Sequence, residues 1–164
     1  PAIELTTAAV LLGIRAETET VILTKRSARL KHHPGQIAFP GGKQDPTDAT
    51  LIEAALREAR EEIGLPSGLV AVFGALPPHP TVTGYQVTPV LGVMAGSFDT
   101  VAEFGEVSEV FETPLAHLLK PDMYRVEGRR WQGRKRLYYT VPFGPYYIWG
   151  ATARILRGLA ARMP

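Results

Sequence analysis

The chain has 164 residues, of which 45% are hydrophobic, and this is enough for one domain, residues 1–164, with a sizeable core. Its formal net charge of +2 suits an anionic small molecule but falls short of a dedicated nucleic-acid-binding surface. The absence of cysteine excludes disulfides and thiolate metal sites, and a reducing cytoplasm is the simplest compartment. No apolar run approaches the length of a membrane span, so we expect no membrane partner.

Short apolar and β-branched runs predict strands at 8–14 and 21–24, joined by a polar stretch. Residues 25–47 concentrate glycine and proline and are too long for a simple connector, so they predict an ordered loop. A helix follows, and either Thr47 or Asp48 is expected to cap it. Its glutamates are expected to point away from the apolar stripe that packs on the core, which consists of Ile52, Leu56, Ala59 and Ile63.

The rest of the chain alternates between further strand and helix patterns. Strands are predicted at 70–76, 87–94 and 107–112, a short helix at 115–119, late strands within 131–147, and a helix at 150–162. The strands come in local runs with two longer helices and show no regular βαβ alternation. We therefore predict an α/β fold, an α/β/α sandwich around a mixed β-sheet.

Three glutamates crowd the end of the first long helix. Glu58, Glu61 and Glu62 are three and four residues apart, so all three carboxylates can share one helix face. These carboxylates repel one another. They also lie close to the negative end of the helix dipole, because Gly64 marks the end of the helix. A solvated helix end with ion pairs to the flanking arginines is one explanation. A hard divalent cation, Mg²⁺ or Mn²⁺, uses such a cluster better, since it takes oxygen ligands and leaves positions for a phosphate substrate.

Residues 42–65 resemble the Nudix box, in which a glycine precedes Arg-Glu, two residues, Glu-Glu, one residue, Gly and an aliphatic residue. The second half matches at every fixed position. In the first half, Asp48 stands where a glutamate is expected, and one extra residue separates it from Arg57. The flanking segments 23–27 and 35–42 are similar to the signature of the coenzyme A pyrophosphatase branch, and further matches extend the resemblance over roughly residues 20 to 160.

The resemblance implies a Nudix-type sandwich and metal-dependent hydrolysis of a diphosphate bond. Coenzyme A or a derivative is the leading substrate, with adenosine 3′,5′-bisphosphate and 4′-phosphopantetheine as products. Glu61 is either a metal ligand or the general base that orients the attacking water, and Arg57 is expected to orient the glutamates. The metal-site residues implied in this way are Glu58, Glu62, Glu61, Gly42 through its carbonyl, and Glu106 from a downstream loop.

The loop before the glycine pair is expected to bind substrate. The residues assigned to this role are Arg26, Lys31, Phe39 and Gly41. Lys31 occupies a position where the branch signature prefers arginine. The positive charge of the side chain is therefore retained, but the fork-shaped guanidinium donor is not. His32 and His33 have no third ligand at zinc spacing and are interpreted as loop residues, with His33 a candidate for substrate contact.

Two features leave alternatives open. A basic hairpin is predicted around Gly128 and Gly133, and it could serve solubility, a nucleotide phosphate or an RNA backbone; its cations are Arg129, Arg130, Arg134, Lys135 and Arg136. Aromatic residues from 131 to 149 are more often core or interface residues than base-stacking platforms. Alternative functions are hydrolysis of another nucleoside diphosphate derivative or a nucleoside triphosphate, and metabolite binding by a Nudix-fold regulator without turnover. We expect a small diphosphate partner and no nucleic acid, and a homodimer stays open.

Overall fold

The structure, a computed structural model, describes residues 4–163. Within that range, eight strands form a mixed sheet and two more form a separate hairpin. The strands are β1 (Thr6–Arg15), β2 (Thr20–Arg26), β3 (Ile37–Ala38), β4 (Gly41–Lys43), β5 (Val70–Ala75), β6 (His79–Pro80), β7 (Tyr85–Met94), β8 (Val107–Pro114), β9 (Arg125–Trp131) and β10 (Arg134–Thr140). The helices are α1 (Leu51–Ile63), α2 (Leu115–Leu118) and α3 (Gly150–Arg162), with 3₁₀ turns at Ser67–Leu69 and Pro121–Met123.

Strand β1 is the strand around which the sheet is organised. One of its edges pairs in parallel with β7 along its whole length. Its other edge is shared, because β4 pairs antiparallel with residues 8–10 and β2 pairs with residues 14–15. The sheet therefore opens between β1 and β2, and the opening holds β4. This arrangement fixes Gly41 and Gly42 to the middle of the sheet.

Both faces of the sheet are covered by helices. Alternation along β1 sends Leu11 to the core under α1, where it packs with Ala55 and Ile63, and sends Leu12 to the opposite core with Leu156 of α3. The predicted α/β/α sandwich around a mixed sheet is thus confirmed. The helices α1 and α3 have 13 residues each, and no helix in the described part of the chain is long and apolar enough to cross a bilayer.

Helix α1 begins later than predicted. Thr50, not Thr47 or Asp48, is the N-cap, and its hydroxyl accepts from the Glu53 N–H at 3.1 Å. Asp48 is unsuited to capping because its carboxylate already accepts hydrogen bonds from Arg57 and from the Asp45 N–H. The helix ends at Gly64, whose φ of 71° gives the left-handed conformation that favours glycine.

The late strands differ from their predicted position. They form a hairpin at 125–140, whose turn residues Gln132 and Gly133 have φ values of 51° and 75°, as a two-residue hairpin turn requires. The chain then returns along the end of β10, where the Val141 N–H donates to the Ile148 carbonyl at 2.8 Å. The other predicted strands and helices of the second half agree with the structure within two residues at each end.

Candidate active site

The C-terminal half of α1 places two glutamates against β4. The Gly41 N–H donates to Glu62 Oε1 at 2.7 Å. A Cβ atom on Gly42 would lie 2.8 Å from the Glu58 carboxylate, and one on Gly41 would lie 2.4 Å from the Ala9 carbonyl oxygen. Glycine is therefore required at Gly41, where the β1 backbone leaves no room for a side chain, and at Gly42 a side chain would displace the Glu58 carboxylate.

Glu62 lies on the buried face of α1 and is only 5% exposed. The prediction that the glutamates point away from the packed face was wrong for this residue. The pKa of Glu62 is raised to about 8, mainly by burial and to a smaller extent by the nearby charges of Glu58 and Glu106. The Gly41 hydrogen bond and the charge of Arg26 oppose this shift. Without a cation, the Glu62 carboxyl is therefore mostly protonated at neutral pH.

Glu58 and Glu106 complete the acidic surroundings of Glu62. Burial raises the pKa of Glu58, while Arg57 opposes the shift. Glu106 is exposed, and its charge raises the pKa of both Glu58 and Glu62. The loop that carries Glu106 is fixed to the end of α1, since the Glu103 N–H donates to the Glu62 carbonyl at 2.9 Å.

Arg57 connects the preceding loop to two of the glutamates. Its Nε and Nη2 donate to the Asp48 carboxylate at 3.0 and 2.9 Å, and its Nη1 donates to Glu58 and Glu61 at 3.1 Å each. Nη2 also donates to the Lys43 carbonyl at 3.3 Å. The hydrogen bonds from Arg57 hold the pKa of Asp48 below its ordinary value. Asp48, the residue that departs from the Nudix box, thus anchors the arginine that orients the carboxylates.

The glutamates do not converge on a single point. Among residues 4–163, no three His, Asp or Glu side chains lie close enough together to hold a metal ion, and Glu61 is exposed and turned toward Arg57. The donor chemistry nevertheless fits a divalent cation, because carboxylate oxygens are hard ligands. The buried Glu62 carboxyl supports this fit, since a cation would stabilise the charged form that burial disfavours.

The loop after β2 places a second cationic group beside the glutamates. It closes on Arg26, whose N–H donates to the Gln36 carbonyl at 2.8 Å and whose Nη2 donates to the His32 carbonyl at 3.3 Å. Arg26 Nε is buried and has no hydrogen-bond partner among the described residues. Because the charge of Arg26 also lowers the pKa of Glu62, the guanidinium lies within electrostatic reach of that carboxyl, and its Nε–H is a donor that no described residue satisfies.

Comparison with known proteins identifies the family. A family model described as NUDIX domain matches residues 4–137. Relatives named uncharacterized Nudix hydrolase NudL are 43% identical in Enterobacter sp. (strain 638) and 46% identical in Klebsiella pneumoniae (strain 342). Each alignment spans 157 residues and covers 95% of this chain and 82% of the relative. This chain belongs to the Nudix family. Nudix hydrolases act on diphosphate substrates and generally use divalent metal ions.

Solved Nudix structures share the fold at low sequence identity. The Nudix hydrolase RenU from M. smegmatis is 22% identical, with a TM-score of 0.60 over 99% of this chain and 88% of that one. An Ap4A hydrolase from C. elegans, solved as a binary complex, is 19% identical, with a TM-score of 0.57 over 66% of this chain and 80% of that one. These similarities concern the fold alone.

The remaining residues predicted to bind substrate in this Nudix chain differ in their surroundings. Lys31 is exposed on the loop that closes on Arg26. Phe39 is 4% exposed and packs in the core beside Leu12 and Phe111, so its side chain fixes the segment that leads into Gly41. His33 is partly buried, and both this burial and the charge of Arg26 lower the pKa of its imidazole.

The C-terminal aromatic residues of this Nudix domain were not predicted to lie near the loop after β2. The structure brings Tyr146, Tyr147 and Trp149 against residues 33–37, with a cavity between them. A signal was present in the sequence, because Tyr147 and Trp149 flank the apolar Ile148 with the alternation of an extended chain. The pattern predicts two aromatic rings on one side, but it does not reveal which loop they meet.

Proposed function

We propose that this Nudix hydrolase cleaves the diphosphate bond of coenzyme A or a derivative, with Mg²⁺ or Mn²⁺ as cofactor. The observation that carries the hydrolase part is the buried Glu62 carboxyl beside Glu58 and the glycine pair, within electrostatic reach of Arg26. The coenzyme A part rests on the resemblance of segments 23–27 and 35–42 to the coenzyme A pyrophosphatase signature.

The residues that would hold the cation are the carboxylates of Glu58 and Glu62, with the Gly42 carbonyl and Glu106 as further oxygen ligands. When bound, a divalent cation neutralises charge on the diphosphate oxygens and makes water easier to deprotonate. The protein supports this set from two sides. The Gly41 N–H orients Glu62, and the Arg57 Nη1 orients Glu58. Neither orienting group depends on the substrate, so the carboxylates are held before it binds.

Glu61 is the group proposed to handle the proton of the attacking water, either directly as general base or as a further ligand. Its carboxylate is 52% exposed and is held by Arg57 at 3.1 Å. Such a group can accept a proton from water and pass it to solvent. Water attacks one phosphorus atom of the diphosphate, the bond from that phosphorus to the bridging oxygen breaks, and each product keeps one phosphate of the cleaved diphosphate.

Cations on the loop are proposed to bind the phosphates. Arg26 Nε offers a buried N–H without a partner in the described chain, and a hydrogen bond from a charged donor to phosphate is among the stronger kinds. Lys31 supplies a second charge from an exposed position. We expect Arg26 to fix the substrate and Lys31 to add affinity.

A substrate panel tests the proposal. Purified protein is incubated with coenzyme A, ADP-ribose, NADH, dinucleoside polyphosphates and nucleoside triphosphates in Mg²⁺ or Mn²⁺, and the products are identified by mass. We expect adenosine 3′,5′-bisphosphate and 4′-phosphopantetheine from coenzyme A, and loss of both with Glu58→Gln. Release of inorganic phosphate, or good turnover of ADP-ribose with none of coenzyme A, would overturn the substrate assignment. Binding without any turnover would instead favour a regulator.

A further inference from the structure

A cavity of about 400 Å³ lies between the loop after β2 and the segment before α3. Its volume is within the range of small-molecule sites. The lining residues that matter are Lys25, His33 and Gln36 on one side and Tyr146, Tyr147 and Trp149 on the other. A second cavity, of about 420 Å³, is lined by polar residues such as Thr7, Lys43 and Asp48 and by no aromatic side chain. Of these two cavities, only the first is lined by aromatic side chains that a ligand could contact.

The aromatic wall of the cavity, which consists of Tyr146, Tyr147 and Trp149, results from an extended backbone. Thr140 bridges to Trp149, and the Val141 N–H donates to the Ile148 carbonyl, so the segment returns antiparallel to the end of β10. Ile148 is fully buried in the core, which sends its neighbours Tyr147 and Trp149 to the opposite side. Tyr147 remains 47% exposed, and its ring centroid lies 6.3 Å from that of Trp149. Its ring therefore has surface available for a flat ligand.

Positive charge lies beside the aromatic wall. The Arg129 guanidinium is 5.3 Å from the centroid of the Trp149 ring, and Lys25 lines the cavity itself. Alternation along β9 sends Arg129 toward Trp149 and its neighbour Arg130 to the other face of the hairpin, in register with Lys135. The hairpin thus places Arg129 over Trp149 at the margin of the cavity, and the neighbouring Arg130 faces away.

The cavity adjoins the carboxylate site through three consecutive residues. Lys25 lines the cavity, the next residue Arg26 has the free buried Nε, and the Ser27 N–H donates to the Glu106 carbonyl at 2.9 Å. Arg26 itself reaches the rim of the cavity, because its Nη2 donates to the carbonyl of His32, the neighbour of the lining residue His33, at 3.3 Å. A substrate whose diphosphate lies at Arg26 can therefore extend one of its halves into the cavity. An aromatic ring stacks on tyrosine, and a phosphate monoester pairs with lysine and arginine.

We propose that this cavity binds the nucleotide half of the diphosphate substrate, with the base on Tyr147 and a phosphate monoester at Lys25 and Arg129. The identity of the nucleotide as adenosine 3′-phosphate rests on the proposed coenzyme A hydrolysis. The aromatic side chains and cations at the cavity, taken alone, require only that the ligand has an aromatic ring and a phosphate group.

Direct binding tests this assignment without turnover. Adenosine 3′,5′-bisphosphate is titrated into the whole chain in Mg²⁺ by calorimetry, and 4′-phosphopantetheine is the second probe. Tyr147→Ala and Arg129→Ala should each weaken bisphosphate binding roughly five- to a hundredfold, with pantetheine binding unchanged. Tyr147→Phe should restore the affinity because it keeps the ring. Arg130→Ala is the matched control and should bind as the wild type does.

The outcomes separate this inference from the proposed function. Wild-type affinity in both Tyr147→Ala and Arg129→Ala, with folding verified by circular dichroism, overturns the cavity assignment even if coenzyme A is cleaved. A loss confined to 4′-phosphopantetheine, or no bisphosphate binding by the wild type, overturns it as well. If coenzyme A is not cleaved while bisphosphate binding depends on both residues, the nucleotide site stands and the substrate assignment fails.

Discussion

Replacing Glu62 by glutamine tests whether the buried carboxyl at the end of α1 is a metal ligand. Glu62 is 5% exposed and accepts one hydrogen bond, from the Gly41 N–H. Glutamine has nearly the same shape and retains a side-chain oxygen for that bond. The variant therefore removes the charge and leaves the packing, so its effect on stability isolates the cost of ionising this position.

The sign and size of the effect follow from the pKa of Glu62, which burial raises from its ordinary 4.5 to about 8. The folded chain holds this proton more tightly than the unfolded chain, so wild-type stability falls as the pH rises from about 4.5 toward 8. At about 1.4 kcal/mol for each pKa unit, the loss by pH 8 reaches on the order of 4 kcal/mol. Glu62→Gln does not titrate, so it should equal the wild type near pH 4 and exceed it at pH 8.

The assay is urea unfolding followed by circular dichroism from pH 5 to 8 in a chelator. Glu17→Gln is the matched control, because Glu17 lies exposed in the turn between β1 and β2. Adding Mg²⁺ at a hundredfold excess over its Kd should stabilise the wild type by about 2.7 kcal/mol and the Glu62→Gln variant by less. Turnover at saturating Mg²⁺ should be nearly abolished in this variant.

Two results would refute this reasoning. If the stability difference between wild type and Glu62→Gln is the same at pH 5 and pH 8, the carboxyl is not destabilised by burial. If the variant keeps most of the wild-type turnover, Glu62 is not a metal ligand.

Three further substitutions test the groups around the glutamates. Gly42→Ala places a methyl group against the Glu58 carboxylate and should lower kcat/KM about ten- to a hundredfold; unchanged kinetics would show that Glu58 can move without loss. Asp48→Asn weakens the anchor of Arg57 and should lower kcat about tenfold together with the melting temperature; a change in melting temperature alone would limit Asp48 to folding. Lys31→Ala should raise KM more than it lowers kcat, by about tenfold in kcat/KM, while Lys31→Arg keeps or improves it; unchanged steady-state kinetics in both variants would make Lys31 a surface residue.

The fold was predictable where local pattern decides it. Apolar and β-branched runs predicted the long strands, and the stop at Gly64 predicted the end of α1. The short strands β3, β4 and β6 were missed because they have two or three residues and depend on distant partners. The pairing of Gly41 with Val10, for example, has no local signature in a loop rich in glycine and proline.

The burial of Glu62 was missed because the predicted stripe of α1 included Ile52 and Leu56 and left out Ala54 and Ala55, although its other members, Ala59 and Ile63, are buried. Ile52 and Leu56 are only partly buried, whereas Ala54, Ala55, Ala59 and Ile63 lie on the buried face with Glu62. Alanines allow the helix to approach the sheet closely. Glu62 is three residues after Ala59 and seven after Ala55, so helical periodicity places it on the alanine face. A stripe drawn through the alanines would have predicted its burial.

The same helix end therefore holds two kinds of carboxylate, which the spacing alone treats as one cluster. Glu58 and Glu61 receive hydrogen bonds from Arg57, and their negative charge is compensated within the chain. Glu62 receives only a backbone N–H, from Gly41, and is the member whose charged form burial most disfavours. A folding role explains Glu58 and Glu61 but not Glu62, because a residue that cannot ionise would be more stable at that buried position. A divalent cation would stabilise the charged carboxylate of Glu62. Such a cation would connect the buried face of α1 with the hydrolysis proposed for the chain.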